Sequence, residues 1–132
     1  MIVAFIQARM SSNRLPDKVL RPITGKPMLW HLWWRLSQAE TLDEVVVATS
    51  DLPSNDPIDD FCLQNNIPCF RGSQDDVLDR IYQAAVKFKA DTIVGVTGDC
   101  PLVDPQIVDR VVREYQDFSP DLCAISPSFT YP

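Results

Sequence analysis

Ile2-Val3-Ala4-Phe5-Ile6-Gln7-Ala8, followed at once by Arg9-Met10-Ser11-Ser12-Asn13-Arg14-Leu15-Pro16-Asp17-Lys18, is the stretch whose reading decides the fold. The first seven residues are apolar and partly β-branched, which predicts a strand. The ten that follow carry three cations separated by small hydroxyl and amide side chains, which predicts a loop of donors at the strand's carboxyl end. An open α/β sheet receives its ligand at that edge. Arginine forks and a lysine point charge suit a phosphorylated ligand. Residues 9–26 hold Arg9, Arg14, Lys18, Arg21 and Lys26 against Asp17 alone, in a chain whose net charge is −6. A compact cationic pocket on an acidic protein implies a small anion. Nucleic acid would call for a broad basic face, so it is not an expected partner.

The chain has 132 residues, 45 % of them apolar, which suits one domain spanning 1–132 with its own core. No apolar run approaches the roughly 20 residues that span a bilayer, so no membrane partner is expected. The N-terminus lacks the pattern of a secretory leader, and cytoplasmic residence is the expectation. The cysteines Cys62, Cys69, Cys100 and Cys123 form no CxxC pair, and His31 is the single histidine. Neither a zinc site nor a disulfide framework follows from that spacing. Cys62, Cys69 and Cys123 read as small core hydrophobes. Cys100 lacks the neighbouring base that a nucleophile needs.

Strands and helices alternate along the chain. Strands are predicted at Ile2–Ala8, Glu44–Thr49, Pro68–Arg71, Thr92–Val96 and Leu122–Ser126. Helices are predicted at Pro27–Gln38, Asp56–Asn66, Gln74–Lys89 and Asp104–Gln116. Pro27, Pro57 and Pro105 stand where a first helical turn tolerates proline. Val77, Leu78, Ile81, Ala84, Ala85 and Phe88 form the apolar stripe of the third helix. This order predicts a three-layer α/β/α sandwich around a mostly parallel sheet with right-handed crossovers. The chain stops at Phe129-Thr130-Tyr131-Pro132, just past a strand and without a closing helix, as a fragment of a longer domain would. Trp30 and Trp34 widen the apolar face of the first helix and imply either deep burial or a homodimer contact.

Two further blocks are expected above the same sheet edge. In Arg71-Gly72-Ser73-Gln74-Asp75-Asp76 a strand ends and a helix begins; Gly72 allows close backbone approach and the helix start presents free N–H groups. The alternative is that Ser73, Asp75 and Asp76 only cap the helix and complement its dipole. In Val94-Gly95-Val96-Thr97-Gly98-Asp99-Cys100-Pro101 a buried strand ends on Asp99. A carboxylate facing a phosphate-binding loop suits Mg²⁺, which takes oxygen ligands and shares them with phosphates. An Asx turn into the Pro101 bend is the structural alternative for Asp99.

Ile6-Gln7-Ala8-Arg9-Met10-Ser11-Ser12-Asn13-Arg14-Leu15-Pro16-Asp17-Lys18-Val19-Leu20, with Gly25-Lys26-Pro27-Met28, resembles the N-terminal signature of the sugar-acid cytidylyltransferases, the CMP-Kdo and acylneuraminate synthetases. It is most similar to their spore-coat polysaccharide branch, with pattern IQARMGSTRLPGKVL…GKP. Phe70 to Arg80 and Val96 to Leu102 are similar to that branch's FRGSEDDVLDR and VTGDCPL. The resemblance implies a Rossmann-like nucleotide-diphospho-sugar transferase fold. It also implies transfer of a cytidylyl group from CTP to a sugar or sugar-acid acceptor, releasing pyrophosphate with Mg²⁺, in surface polysaccharide biosynthesis. On that basis Arg9, Arg14 and Lys18 hold the triphosphate, and Ala8, Gly72, Ser73 and Asp76 line the nucleotide pocket. Asp99 becomes the metal ligand, and Arg9, Lys18 and Asp99 the catalytic set. Family dimerisation favours the contact reading of Trp30 and Trp34. The chain departs from the pattern at Ser11 and Asp17, where the family has glycines, and a carboxylate in that loop opposes the ligand's charge. Two other readings stay open: a transferase using another nucleotide, and a non-catalytic nucleotide-binding or assembly domain. No GxGxxG follows the first strand, which argues against a dinucleotide enzyme.

Overall fold

The structure, a computed structural model, describes residues 1–12 and 14–125. Four parallel strands form the sheet in the order β5-β4-β1-β6: β1 is Ile2–Gln7, β4 Glu44–Ser50, β5 Cys69–Gly72 and β6 Thr92–Thr97. Gln7 pairs with Ala48 on one side and Thr97 on the other, so β1 and β6 end level. A short hairpin, β2 (Pro22–Ile23) with β3 (Lys26–Pro27), lies outside the sheet. Its turn residues Thr24 and Gly25 both have positive φ (47° and 84°), as a two-residue hairpin requires. It hands the chain to α1 (Met28–Leu36), which begins one residue later than expected because Pro27 is its cap and not its first helical residue.

Helices cover both faces because β1 and β4 are apolar on both. Ala4, Ile6, Val45 and Val47 pack under Leu29, Leu32 and Leu36 of α1, Ile58 and Cys62 of α2 (Asp56–Gln64), and Val108 and Val112 of α4 (Pro105–Phe118). Val3, Phe5, Val46 and Ala48 pack under Ile81, Ala84 and Ala85 of α3 (Val77–Phe88). On α4 the buried Asp109 accepts hydrogen bonds from Glu40 N (3.1 Å), Thr41 N (2.8 Å) and the Thr41 hydroxyl (2.7 Å), clamping the helix to the loop before β4. Burial opposes ionisation of that carboxyl, but the bonds from Thr41 and Glu40, with Arg113 nearby, hold it below its ordinary value. No helix among the described residues is long and apolar enough to cross a membrane.

Several expectations need correction. Among the described residues β6 is an edge strand rather than a buried one: it pairs there with β1 alone, and Ile93, Gly95 and Thr97 are exposed on alternate positions. Leu122 to Ile125 form no strand, and Ser126 lies outside the described residues. An apolar run needs a ladder partner to become a strand, and Leu122 (81 % exposed) packs against nothing substantial. The third helix begins at Val77 because Asp76, in extended geometry, caps it. Val77 and Leu78 are exposed, so the buried stripe of α3 is narrower than periodicity suggests. Of the cysteines, Cys62 is buried and Cys69 packs beside the core, while Cys123 is only partly covered and stands outside it. Trp34 is 45 % exposed and stacks on Trp30, centroids 5.9 Å apart, while every other residue of the first helix is buried or half-buried, so the deep-burial reading fails at Trp34 alone.

Candidate active site

The chain leaves β1 at Gln7, and the loop that follows is anchored from below. Met10 N donates to Asn55 Oδ1 (2.8 Å), and buried Asn55 in turn donates to Ser50 Oγ (2.6 Å). Asp17 N closes the loop on Met10 O at 3.1 Å. Asp17 itself is left-handed, φ 59° and ψ 19°, a conformation that glycine adopts freely and aspartate tolerates. The family's glycine at this position therefore corresponds to a real backbone demand. Among the described residues Asp17 makes no ion pair, and Arg21 donates instead to Pro16 O.

Lys18 follows in a single turn of 3₁₀-helix, and its Nζ lies 3.3 Å from Asp99 Oδ2. The strand ends meet this closely because of Gly98. Its N–H donates to Gln7 O at 2.8 Å, and a Cβ there would stand 2.7 Å from that same oxygen. The carboxylate and the lysine thus touch directly instead of facing each other across an open gap. Hydrogen bonding from the Thr97 side chain holds the Asp99 carboxyl below its ordinary value; partial burial opposes this, and the Lys18 ammonium adds to it. On the other side, Arg35 of α1 donates to Val103 O at 2.7 Å and fixes the loop after β6. Cys100 sits beside the Asp99 carboxylate, the reverse of the cationic setting that activates a thiol.

A cavity of about 490 Å³ opens between these loops. Ala8, Arg9, Arg14 and Lys18 line one side, Thr97, Gly98 and Asp99 another, and Gln74, Val77 and Arg80 the third. All three sequence blocks therefore reach one space, but not through every residue expected. Gly72, Ser73 and Asp76 stand behind the wall. Ser73 Oγ accepts from Asp76 N (3.0 Å) and Asp76 Oδ1 from Asp79 N (2.8 Å), so Asp76 serves as a helix cap here. Arg71 is fully engaged elsewhere, donating to Ser50 O, Leu52 O and Asp56, and the Asp56 carboxylate raises its guanidinium above the usual value. A smaller cavity of about 240 Å³, at the amino end of β4, is lined by Asp43 and Glu44 and by no cation, and offers nothing to a phosphate.

Arg80 was not anticipated. It lies on the buried face of α3 among Val77, Ile81 and Ala84, only 6 % exposed. A cation at a core-facing helical position was the available signal. Its Nη1 donates to Ser73 O (2.6 Å), and its Nε is buried without a partner among the described residues. Burial, and then the charge of Arg9, lowers its guanidinium below the usual value.

No group of three or more His, Cys, Asp or Glu converges among the described residues, so no self-sufficient metal cage exists. Asp99, ionised and with half of its side chain exposed, fits the sparser arrangement in which Mg²⁺ takes one or two carboxylates and completes its shell with substrate phosphates.

A parallel sheet sandwiched between helices, with a cationic loop after its first strand and a carboxylate after its last described one, is an α/β frame suited to an anionic ligand at its carboxyl edge. The profile of the cytidylyltransferase family matches residues 3–126, and the chain belongs to that family. It is 38 % identical over 124 residues to the spore coat polysaccharide biosynthesis protein SpsF of Bacillus subtilis, covering 91 % of this chain and 52 % of that protein. It is 35 % identical to the 3-deoxy-manno-octulosonate cytidylyltransferase of Pelobacter propionicus, covering 88 % and 45 %. Among solved structures, a cytidylyltransferase from Leptospira borgpetersenii superposes with a TM-score of 0.82 at 35 % identity, covering 88 % of this chain and 49 % of that one. The CMP:2-keto-3-deoxy-manno-octonic acid synthetase complexed with CTP superposes at 0.76 and 30 % identity, covering 88 % and 47 %. The chain spans about half the length of the curated relatives it matches.

Proposed function

We propose that this protein binds CTP in the cavity above β1 and β6 and transfers its cytidylyl group to a hydroxyl of a sugar or sugar acid, for surface polysaccharide synthesis in the cytoplasm. The observation that carries the reading is the meeting of Arg9, Arg14, Lys18 and Asp99 around one cavity in a chain of the cytidylyltransferase family. In the reaction the sugar oxygen forms a bond to the α-phosphorus, the bond from that phosphorus to the bridging oxygen breaks, and pyrophosphate leaves with the electron pair. The hydroxyl proton passes to solvent. Such a transfer asks for positioning and charge stabilisation more than covalent participation. Arg9 and Arg14 are placed to hold the triphosphate, and Lys18 to neutralise the pyrophosphate as it departs. When nucleotide enters, Lys18 exchanges Asp99 for phosphate and frees that carboxylate for Mg²⁺. Bound there, Mg²⁺ would supply charge neutralisation at the phosphoryl oxygens.

Pyrophosphate release is the direct test, measured with CTP, Mg²⁺ and a panel of sugar acids, with UTP and GTP in parallel. CTP-dependent release supports the reading. CTP binding without release in any mixture assigns the chain a nucleotide-binding role only. The stacked Trp30 and Trp34, with Lys26 over Trp30 at 5.3 Å, are the proposed homodimer contact.

A further inference from the structure

We propose that Arg80 is a phosphate-positioning residue: together with Arg9, its guanidinium takes a phosphoryl oxygen of the nucleotide. The proposal rests on the nucleotide-site reading above and adds a residue to it. Arg80 is a cation taken almost wholly out of water, and among the described residues no carboxylate pairs with it. A buried charge is tolerated when it is paired and hydrogen-bonded. Here one nitrogen is spent on Ser73 O and another, Nε, has no acceptor among the described residues. Arg9, a charge of the same sign that acts on it, lines the same cavity. Two guanidiniums bordering one space, neither of them paired with a carboxylate among the described residues, are a receptor for an anion that bridges them. A neutral base edge would supply acceptors but not the missing charge, so the phosphate chain of the ligand is the part assigned.

Gly72 gains a role from the same geometry. A Cβ there would sit 2.8 Å from a Phe70 ring carbon and 3.2 Å from Arg80 Cγ. The missing side chain makes room for the stem of Arg80 to reach the cavity wall. Ser73 then orients the head through its carbonyl. The turn Gly72–Ser73, expected to touch nucleotide itself, instead aims the arginine.

The test is calorimetric binding of tripolyphosphate, CTP and cytidine to the parent protein, Arg80→Gln and Arg80→Lys, with melting curves for each. Arg80→Gln should weaken tripolyphosphate and CTP about tenfold to a hundredfold, the value of one charge-assisted contact, and leave cytidine unchanged. Arg80→Lys, with the charge but not the fork, should recover part of the loss. Equal weakening of all three ligands, or none for tripolyphosphate, overturns the proposal. If Arg80→Gln does not fold, Arg80→Lys carries the test: it should lose tripolyphosphate affinity severalfold with cytidine unaffected, and unaltered binding of both refutes it. A parent protein that binds neither tripolyphosphate nor CTP brings down the site reading itself. Normal parent binding matched by Arg80→Gln removes only Arg80.

Discussion

Gly98→Ala tests whether the tips of β1 and β6 are held together by a contact no side chain can enter. The added methyl would stand 2.7 Å from Gln7 O and 3.3 Å from Ala8 Cα and Cβ. Normal separations call for the two strand ends to part by roughly half an ångström or more. The obstructing oxygen is backbone, in a strand registered on Ala48 and on Thr97, so it has no easy way to yield. Overpacking of this kind costs about 1–3 kcal/mol. Weakening the 2.8 Å bond from Gly98 N to Gln7 O adds roughly 1 kcal/mol. A total of about 2–4 kcal/mol lowers the melting temperature by roughly 8–16 °C in a chain of this size. The shift should also move Asp99 out of its place in the cavity lining, weakening Mg²⁺-dependent CTP binding beyond what melting explains. Scanning calorimetry and CTP titration below the melting range measure both effects. Gly95→Ala is the control: on the same strand, a Cβ there meets nothing within 4 Å, so stability should hold or rise slightly. Gly72→Ala should fall between, since it meets the Phe70 and Arg80 side chains, which can turn aside. A Gly98→Ala protein melting within about 2 °C of its parent would refute the reasoning.

Three other outcomes follow. Lys18→Ala or Asp99→Asn should lower pyrophosphate release at least about a hundredfold, yet shift melting little, because a half-exposed pair contributes about 0–1 kcal/mol; equal unfolding of both variants would mark them as structural. Asp109→Ala should destabilise by about 3 kcal/mol by stranding the Glu40 and Thr41 donors. Because the folded Asp109 carboxyl lies below its unfolded value of about 3.9, its contribution is present above that pH and lost as pH falls through the folded value. Acid melting curves should therefore show Asp109→Asn losing less stability between about pH 5 and 2 than the parent protein. Asp17→Gly relieves a left-handed aspartate and should raise the melting temperature by about 2–4 °C, while removing a carboxylate from the cationic loop and tightening tripolyphosphate binding.

How much of this was legible beforehand differs from element to element. The two central strands, β1 and β4, were readable because Val3 to Ile6 and Val45 to Ala48 are apolar without interruption, as a strand covered on both faces requires. The caps of α4 by Asp104 and Pro105 were equally local. The strand expected at Leu122 failed because its formation depends on a partner edge, which lies far away in sequence. Asp76 caps its own helix, the alternative that the sequence leaves open beside a nucleotide-facing role. Arg80 went unread because its meaning lies in what fails to surround it, a fact of three-dimensional packing.

The amino-acid order alone determined the alternation of strands and helices, and that a cationic loop leaves the first strand while a Gly-Asp pair closes a later one. Those properties reside in neighbouring residues, through periodicity, turn chemistry and local charge. Only the tertiary structure decided which of the chemical groups share a space. Parallel pairing of β1 with β6 brings Lys18 onto Asp99 across 81 positions of chain, and the packing of α3 turns Arg80 toward Arg9. The reason is that long-range contacts are selected by the burial of whole helix and sheet faces, which no short window of sequence contains.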